Sequence, residues 1–168
     1  MPPYDGVVKN RQIRIVSGGQ TGVDRGALIA ALDRGVPCGG WCPAGRKAED
    51  GAIPPFFPMR ELPDEDYPAR TLKNVQDSDG TTVIFFSELE GGTELTVAYC
   101  RREHKPYLLL DAHEMDTAEA ARRIGEFVAG HGIGTLNVAG PRASRHPAAQ
   151  AWARAAVREF LENLPANR

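Results

Sequence analysis

Three apolar segments of this chain each end in a turn of small residues that leads into a helical pattern, and this repetition limits the fold more than any other feature. The segments and their turns are "IRIV" with "SGGQTGVDR" (13–25), "TVIFF" with "SELEGGTELT" (82–96) and "TLNV" with "AGPRASRHP" (135–147). The carboxyl ends of the strands in an open parallel sheet share one edge, and ligands bind at that edge. We therefore predict that the three turns meet in one crevice.

The rest of the chain alternates strand and helix patterns. Further strand patterns lie near 36–41 and at 107–110, and helical spacing of apolar residues covers 24–34, 68–78, 93–104, 117–129 and 147–163. The runs "TVIFF" and "YLLL" are continuously apolar, which is typical of strands covered by helices on both faces. This alternation predicts an α/β fold in which helices lie on both faces of a doubly wound, mainly parallel sheet.

The size of the chain fits one domain. A chain of 168 residues buries roughly 70% of its unfolded surface, which is enough for a core of its own. We expect a single domain over 1–168, with a flexible N-terminus at 1–11. We also expect a long loop or lid at 43–67, because "IPPFFPMRELPDEDYP" is rich in proline and long connections are often functional.

Composition argues against several classes of protein. The net charge of −2 argues against a nucleic-acid-binding protein, which presents a strongly basic face. No apolar stretch is long enough to span a membrane, and residues 1–11 lack the apolar core of a secretion signal. Three cysteines are too few for a disulfide framework. We therefore expect a cytoplasmic protein with neither a membrane nor a nucleic-acid partner.

The three turns have the composition of an anion-binding site. Glycines let backbone amides approach a ligand, and the start of a helix favours a negative charge. The hydroxyls that would add donors belong to Ser17, Thr21, Thr93 and Ser144. Arginine matches the geometry of phosphates and other oxyanions, and the cations in or beside the turns and the long loop are Arg25, Arg46, Lys47, Arg70 and Arg142.

Two further residues join this set through helical spacing. A helix that begins near Pro68 would place Arg70 and Asn74 one turn apart on the same face. We therefore expect Asn74 to lie beside the cation of Arg70.

Fingerprints of nucleotide and metal sites are incomplete in this chain. No "GK[ST]" follows the first turn, and the dinucleotide pattern lacks its first glycine. Cys38 and Cys42 have the spacing of half a zinc site, but no second pair exists, so we predict structural thiols and no metal site. The residues alone leave open which anion binds and whether it reacts.

Five motifs in order resemble those of the molybdenum carrier family. They are "SGGQTGVDRGAL", "PAGRKAEDG", "RTLKNVQDSDGT", "GGTELT" and "NVAGPRASR", and the resemblance extends from Ile13 to Leu164. The members of this family resemble circularly permuted relatives of a bacterial protein group. That group belongs to the Rossmann-like superfamily that also includes the lysine-decarboxylase-like (LOG) proteins. The resemblance implies a Rossmann-like fold, a homo-oligomer (dimer or tetramer), and molybdenum cofactor or molybdate as the ligand, with molybdoenzymes as partners.

The turns and the resemblance together give a set of ligand-binding residues. The set is Gly18, Gly19, Gln20, Thr21, Asp24, Arg46, Arg70, Asn74, Ser87, Gly91, Gly92, Thr93, Arg142 and Ser144. The resemblance adds Glu49, Asp50 and Pro141 as motif residues. We expect these residues to hold a small anionic ligand, with no catalytic residue and no bound metal.

The alternative is an enzyme of the same superfamily. LOG-type phosphoribohydrolases cleave nucleoside monophosphates and carry a PGGxGTxxE motif, whereas this chain reads "EGGTELT", with Thr96 at the closing position. The expected acid is therefore absent, and Glu88, Glu90 and Glu94 are the candidates to replace it. A nucleotide phosphate is the ligand in this reading.

Overall fold

The computed structural model describes residues 12–165, so the expected flexibility of 1–11 lies outside the described residues. The strands in chain order are β1 (Arg14–Val16), β2 (Cys38–Gly39), β3 (Trp41–Cys42), β4 (Lys47–Ala48), β5 (Gly51–Ala52), β6 (Arg60–Glu61), β7 (Gly80–Phe85), β8 (Tyr107–Asp111) and β9 (Thr135–Ala139). The helices are α1 (Val23–Asp33), α2 (Tyr67–Gln76), α3 (Gly91–Arg102), α4 (Thr117–His131) and α5 (Ala149–Glu162).

Five parallel strands form the central sheet in the order β2-β1-β9-β7-β8. Helix α5 packs against both α1 and α4 on one face of the sheet. On the other face, α2 packs with α3, which contacts β7. The expected α/β, doubly wound, parallel architecture is confirmed. Because β1, β9 and β7 are neighbours, the turns that follow these strands emerge side by side.

The two continuously apolar runs occupy different places in this sheet. Strand β7 is internal, and its residues Val83 and Ile84 are fully buried. Strand β8 is an edge strand, so Leu109 stays 37% exposed although Leu110 is fully buried. The expectation that helices cover both faces therefore holds for "TVIFF" and is wrong for "YLLL".

The segment 43–67 contains structure that the sequence did not indicate. Strand β6 pairs in parallel with β3, and β4 pairs with β5 in an antiparallel hairpin. Ile53 and Phe57 are almost fully buried in a second apolar cluster with Leu28 of α1. The segment is thus packed onto the body of the protein.

Helix α4 has a capping residue at each end that suits its position. Asp116 accepts a hydrogen bond from the amide of Glu119 at 2.8 Å, which satisfies one of the free amides of the first turn. Gly132 ends the helix with a positive φ of 61°.

We predict opposite effects of the same substitution at two helical glycines. An added Cβ at Gly26 in α1 would lie 2.4 Å from the carbonyl oxygen of Gln150, because α1 and α5 pack closely there. Gly26→Ala should destabilise the protein by about 1–3 kcal/mol.

The matched control is Gly125→Ala in α4, where the nearest atom to the added Cβ lies 4.0 Å away. This change should stabilise the fold by about 0.5–1 kcal/mol, because alanine favours a helix over glycine. Urea unfolding measures both free energies, and equal effects of one sign would contradict the close packing of α1 on α5.

Candidate ligand-binding site

The three turns line one cleft at the carboxyl edge of β1, β9 and β7, as the sequence predicted. The volume of the cleft is about 500 Å³. Ten residues of the predicted set line it, namely Gly18, Gln20, Asp24, Arg70, Asn74, Gly91, Gly92, Thr93, Arg142 and Ser144. No residue of the segment 43–67 lines the cleft.

Four residues of the predicted set lie outside the cleft lining: Gly19, Thr21, Arg46 and Ser87. The guanidinium of Arg46 donates to the carbonyl oxygens of Ile53, Pro54 and Phe57 at 2.7–3.0 Å, so it holds the long loop together. Arg25 of α1 is engaged in a similar way, since it forms two hydrogen bonds with Asp50 and one with the carbonyl of Gly19.

Ser87 sits in the strained turn after β7, with a φ of 68°. Its amide donates to Asp111 at the end of β8, and its hydroxyl lies 2.5 Å from Nδ1 of His113. These contacts direct Ser87 toward the edge strand and away from the cleft.

A buried ion pair between Asp24 and Arg70 forms the floor of the cleft. Asp24 lies in the first turn of α1 and is 5% exposed, and Arg70 lies on α2 and is 9% exposed. Nη1 of Arg70 donates to Oδ2 of Asp24 at 3.0 Å. Burial raises the pKa of Asp24 above its ordinary value, while the charge of Arg70 acts in the opposite direction. Gly18 faces this pair, and a Cβ there would lie 1.6 Å from Nη1 of Arg70. The glycine is therefore what leaves room for the guanidinium.

Two buried donors beside this floor have no acceptor among the described residues. They are Nε2 of Gln20 and Nε of Arg70. The carbonyl oxygen of the Gln20 side chain is used, since it accepts from the amides of Thr21 and Glu49. Because both unpaired groups are N–H donors, an acceptor oxygen is the partner that would satisfy them.

Several predicted donors are already engaged within the protein. The hydroxyls of Thr21 and Ser144 both donate to the carboxylate of Glu49. The side-chain amide of Asn74 bonds to both the amide and the carbonyl of Trp41, at 2.8 and 2.9 Å. Thr21 and Asn74 therefore stabilise the walls of the cleft, and the hydroxyl of Ser144 does the same.

The start of α3 supplies free amides to the opposite wall. Gly91 and Gly92 line the cleft, and among residues 12–165 no acceptor receives their amides. The N-cap residue Glu90 makes no side-chain hydrogen bond to the helix and instead pairs with Arg145 at 3.1 Å. The positive end of the helix is thus directed at the cleft without an internal capping group.

Charges of both signs line the cleft. The arginines are Arg70, Arg142 and Arg145, and the carboxylates are Asp24, Glu88 and Glu90. Each arginine lies within 4.0 Å of a carboxylate, because Arg142 also approaches Glu49 at 3.9 Å. The formal charges that line the cleft therefore nearly cancel, and its cations are held in place.

The reasoning from sequence missed Asn137 as a residue of the cleft. Asn137 is 3% exposed near the end of β9, where its amide donates to Thr81 at 3.2 Å. A polar residue within the apolar run "TLNVA" was the available signal. His146, which follows β9, also lines the cleft and stacks on Phe86 with ring centroids 4.7 Å apart.

Within the described part of the chain, no group of three or more metal-ligating side chains is present. Burial raises the pKa of the thiols of Cys38 and Cys42 above its ordinary value, which favours the neutral thiol. None of the described helices combines the length and the apolar character needed to cross a membrane.

We predict that Arg70→Met destabilises the protein by about 3–5 kcal/mol, because it leaves Asp24 buried without a partner. The double variant Asp24→Asn with Arg70→Met should recover most of this loss, since no charge remains buried. Urea unfolding of the four proteins gives the coupling free energy, and additive losses would contradict the pairing.

The loss of unfolding free energy caused by Arg70→Met, called the deficit below, should also depend on pH. Without the arginine, the pKa of folded Asp24 rises further above 3.8, so the folded state binds a proton more tightly than the unfolded state. The deficit is then smallest below the unfolded pKa and grows as the pH rises through the folded pKa. A deficit that is equal at pH 4 and pH 7 would contradict this assignment.

Comparisons with known proteins agree with the resemblance seen in the sequence. No curated protein matches the chain. A crystal structure of a putative molybdenum carrier protein from Syntrophus aciditrophicus SB is 41% identical, with a TM-score of 0.87, and the match covers 90% of this chain and 96% of that one. The model of the circularly permutated YpsA SLOG family matches residues 15–161. The chain therefore belongs to the circularly permutated YpsA SLOG family.

Proposed function

We propose that this protein is a carrier that binds a small organic ligand bearing a phosphate or another oxyanion in the cleft. The observation that carries the proposal is the convergence of unpaired donors on one space. Arg70 from α2, the amides of Gly91 and Gly92 from α3, and Arg142 after β9 all line it. Donors of this kind favour an anionic oxygen.

The volume of the cleft supports a ligand larger than a bare oxyanion. A water molecule occupies about 30 Å³ of the liquid, so a tetrahedral oxyanion with four oxygens occupies on the order of 100 Å³. The cleft holds about 500 Å³, which lies within the usual range for organic ligands. The space favours an oxyanion joined to an organic group over free molybdate.

The charge pattern supports the same class of ligand. Three arginines and three carboxylates line the cleft, so a bare polyanion would meet acidic groups as well as cations. The carboxylate of Glu88 can accept hydrogen bonds from N–H and O–H groups of an organic ring system, and the side chain of Asn137 offers both a donor and an acceptor. His146, stacked on Phe86, adds an aromatic surface on the same side.

Molybdenum cofactor has these properties, since it joins a pterin to a phosphate and a molybdenum oxo group. The name of the 41% identical relative supports this ligand for the present chain. The proposal includes a homo-oligomer, residence in the cytoplasm and delivery to molybdoenzymes. The cofactor is the cargo in this account and leaves the protein unchanged.

A nucleotide-processing enzyme is the second candidate, and one residue favours it. Glu88 lines the cleft beside the start of α3, and no described residue forms an ion pair or a hydrogen bond with its side chain. Glu94 is exposed outside the cleft, Glu90 pairs with Arg145, and the hydroxyl of Thr96 donates to the carbonyl of Gly92. Glu88 is therefore the carboxylate best placed to act on a bound nucleotide.

We predict that Arg142→Ala weakens ligand binding about tenfold. A hydrogen bond to a charged group contributes about 1.5–3 kcal/mol, and the lower end applies because the side chain is 39% exposed. About 1.4 kcal/mol corresponds to a factor of ten. Isothermal titration calorimetry with molybdenum cofactor, molybdate and adenosine monophosphate measures this effect.

The control for this substitution is Arg123→Ala, which removes an exposed arginine of α4 that pairs with Glu119. It should leave binding unchanged. Equal affinity of Arg142→Ala and the wild type for every ligand would contradict the assignment of this cleft.

The two candidate functions differ in turnover. A carrier should bind adenosine monophosphate or molybdenum cofactor and return it intact, as chromatography of the recovered ligand shows. An enzyme should release adenine over many turnovers, and Glu88→Gln should abolish that release while sparing binding. Multiple turnovers that depend on Glu88 would overturn the carrier proposal.

A further inference from the structure

Glu49 joins two of the three turns of the cleft. It lies at the tip of the β4–β5 hairpin, and its Oε1 accepts from the hydroxyl of Thr21 and from the amide of Ser144 at 3.1 Å. Its Oε2 accepts from the hydroxyl of Ser144 at 2.6 Å. The hydroxyl of Thr21 in turn accepts from the amide of Ala143 at 3.1 Å. One carboxylate thus fixes the backbone of the third turn against the first.

The hairpin that carries Glu49 is itself held on both sides. Ala48 is 7% exposed and Ile53 is 1% exposed, and both pack in the second apolar cluster. Asp50 forms two hydrogen bonds with Arg25, and the amide of Glu49 donates to the side chain of Gln20 at 2.9 Å. The carboxylate therefore has little freedom to leave its place.

Arg142 connects Glu49 with the cleft. Its Nε lies 3.9 Å from Oε2 of Glu49, and its guanidinium carbon lies 5.4 Å from the centre of the Tyr67 ring. Neither Nη atom forms a hydrogen bond or an ion pair with any of residues 12–165. Arg142 lines the cleft and Glu49 does not, so Glu49 contacts the arginine from behind.

From these contacts we propose that Glu49 is a positioning residue of the anion site, which holds the Nε side of Arg142 and leaves both Nη groups to bind an oxyanion of the ligand. This inference rests on the proposed function of the cleft. A guanidinium fixed in this way loses less conformational freedom when it binds two oxygens of a phosphate. The hydrogen bonds to Ser144 and Thr21 outweigh the effect of burial and hold the pKa of Glu49 below its ordinary value, so the carboxylate stays charged.

Glu49 could also be read as a group that competes with the ligand, and that role predicts the opposite effect on affinity. The groups that hold Glu49 are two hydroxyls, an amide and an arginine, which are also the donors that bind phosphates. If the carboxylate instead occupied the place of a ligand oxyanion, its removal would strengthen binding. The anchored hairpin favours the positioning role.

The first measurement follows Arg142 without any ligand. In ¹⁵N-labelled protein, the Nε–Hε signal of Arg142 is identified by its loss in Arg142→Lys, and its heteronuclear NOE reports the mobility of the side chain. Glu49→Ala should make this signal more mobile, and Glu49→Gln should give an intermediate value. An unchanged NOE in Glu49→Ala would overturn the positioning role whether or not the cleft binds phosphate.

The second measurement titrates inorganic phosphate and adenosine monophosphate into the same proteins. Glu49→Ala should weaken binding about threefold to tenfold, as expected for loss of a partly exposed ion pair and its hydrogen bonds. It should cause no further loss in an Arg142→Ala background. Tighter binding by Glu49→Ala, or full additivity with Arg142→Ala, would overturn the proposal.

Glu61→Ala is the matched control, because Glu61 at the end of β6 is also a carboxylate that accepts a backbone amide, that of Gly45 at 2.8 Å. It should change neither the NOE nor the affinity. Thermal unfolding separates a loss of fold from a loss of positioning, and Glu49→Gln keeps the size of the side chain if Glu49→Ala unfolds. Absence of binding by the wild type, together with a changed NOE, would overturn the proposed function and leave the role of Glu49 in place.

Discussion

The ion pair between Asp24 and Arg70 is the interaction on which the rest of the site depends. Asp24 belongs to α1 on one face of the sheet and Arg70 to α2, which packs with α3 on the other, so the pair joins the two layers across the carboxyl end of β1. The absence of a side chain at Gly18 gives the guanidinium its space. Because both groups are buried, neither is replaceable alone without leaving an uncompensated charge. The first turn, the second helix and the floor of the cleft are therefore fixed together.

The other two arginines of the cleft also lie beside a carboxylate. Glu49 approaches Arg142, and Glu90 pairs with Arg145, just as Asp24 pairs with Arg70. An arginine cluster without carboxylates would repel itself and bind any anion, whereas paired arginines hold defined positions at nearly zero net charge. In the proposed function, the oxyanion of the ligand binds where donors remain unpaired, near Arg70, the Nη groups of Arg142 and the amides of Gly91 and Gly92. Selectivity in such a site comes from geometry more than from total charge.

Much of the fold followed from the sequence, because it depends on local patterns. The strand, turn and helix order of "IRIVSGGQTGVDRGAL" specifies β1 and α1, and the repetition of that order places three turns at one edge. Local patterns did not predict which hydrogen-bond donors are already paired with acceptors within the protein. Glu49 and Ser144 lie 95 positions apart in the chain, and nothing near either residue shows that they meet. Arg46 was predicted to bind the ligand from its charge and from the family resemblance, while the carbonyls of residues 53–57 that it satisfies become visible only in the folded loop. Long-range side-chain pairing thus decided which polar residues remain available to a ligand.

The central claim is that the cleft at the carboxyl edge of β1, β9 and β7 holds the oxyanion of an organic ligand. A crystal structure of the protein grown with adenosine monophosphate or a phosphate-bearing pterin tests it most directly. We expect the phosphate to lie within hydrogen-bond distance of the guanidinium of Arg70 or Arg142 or of the amides of Gly91 and Gly92, with the ring system toward Glu88 and His146. A phosphate bound outside this cleft, with the cleft holding only water, would contradict the account.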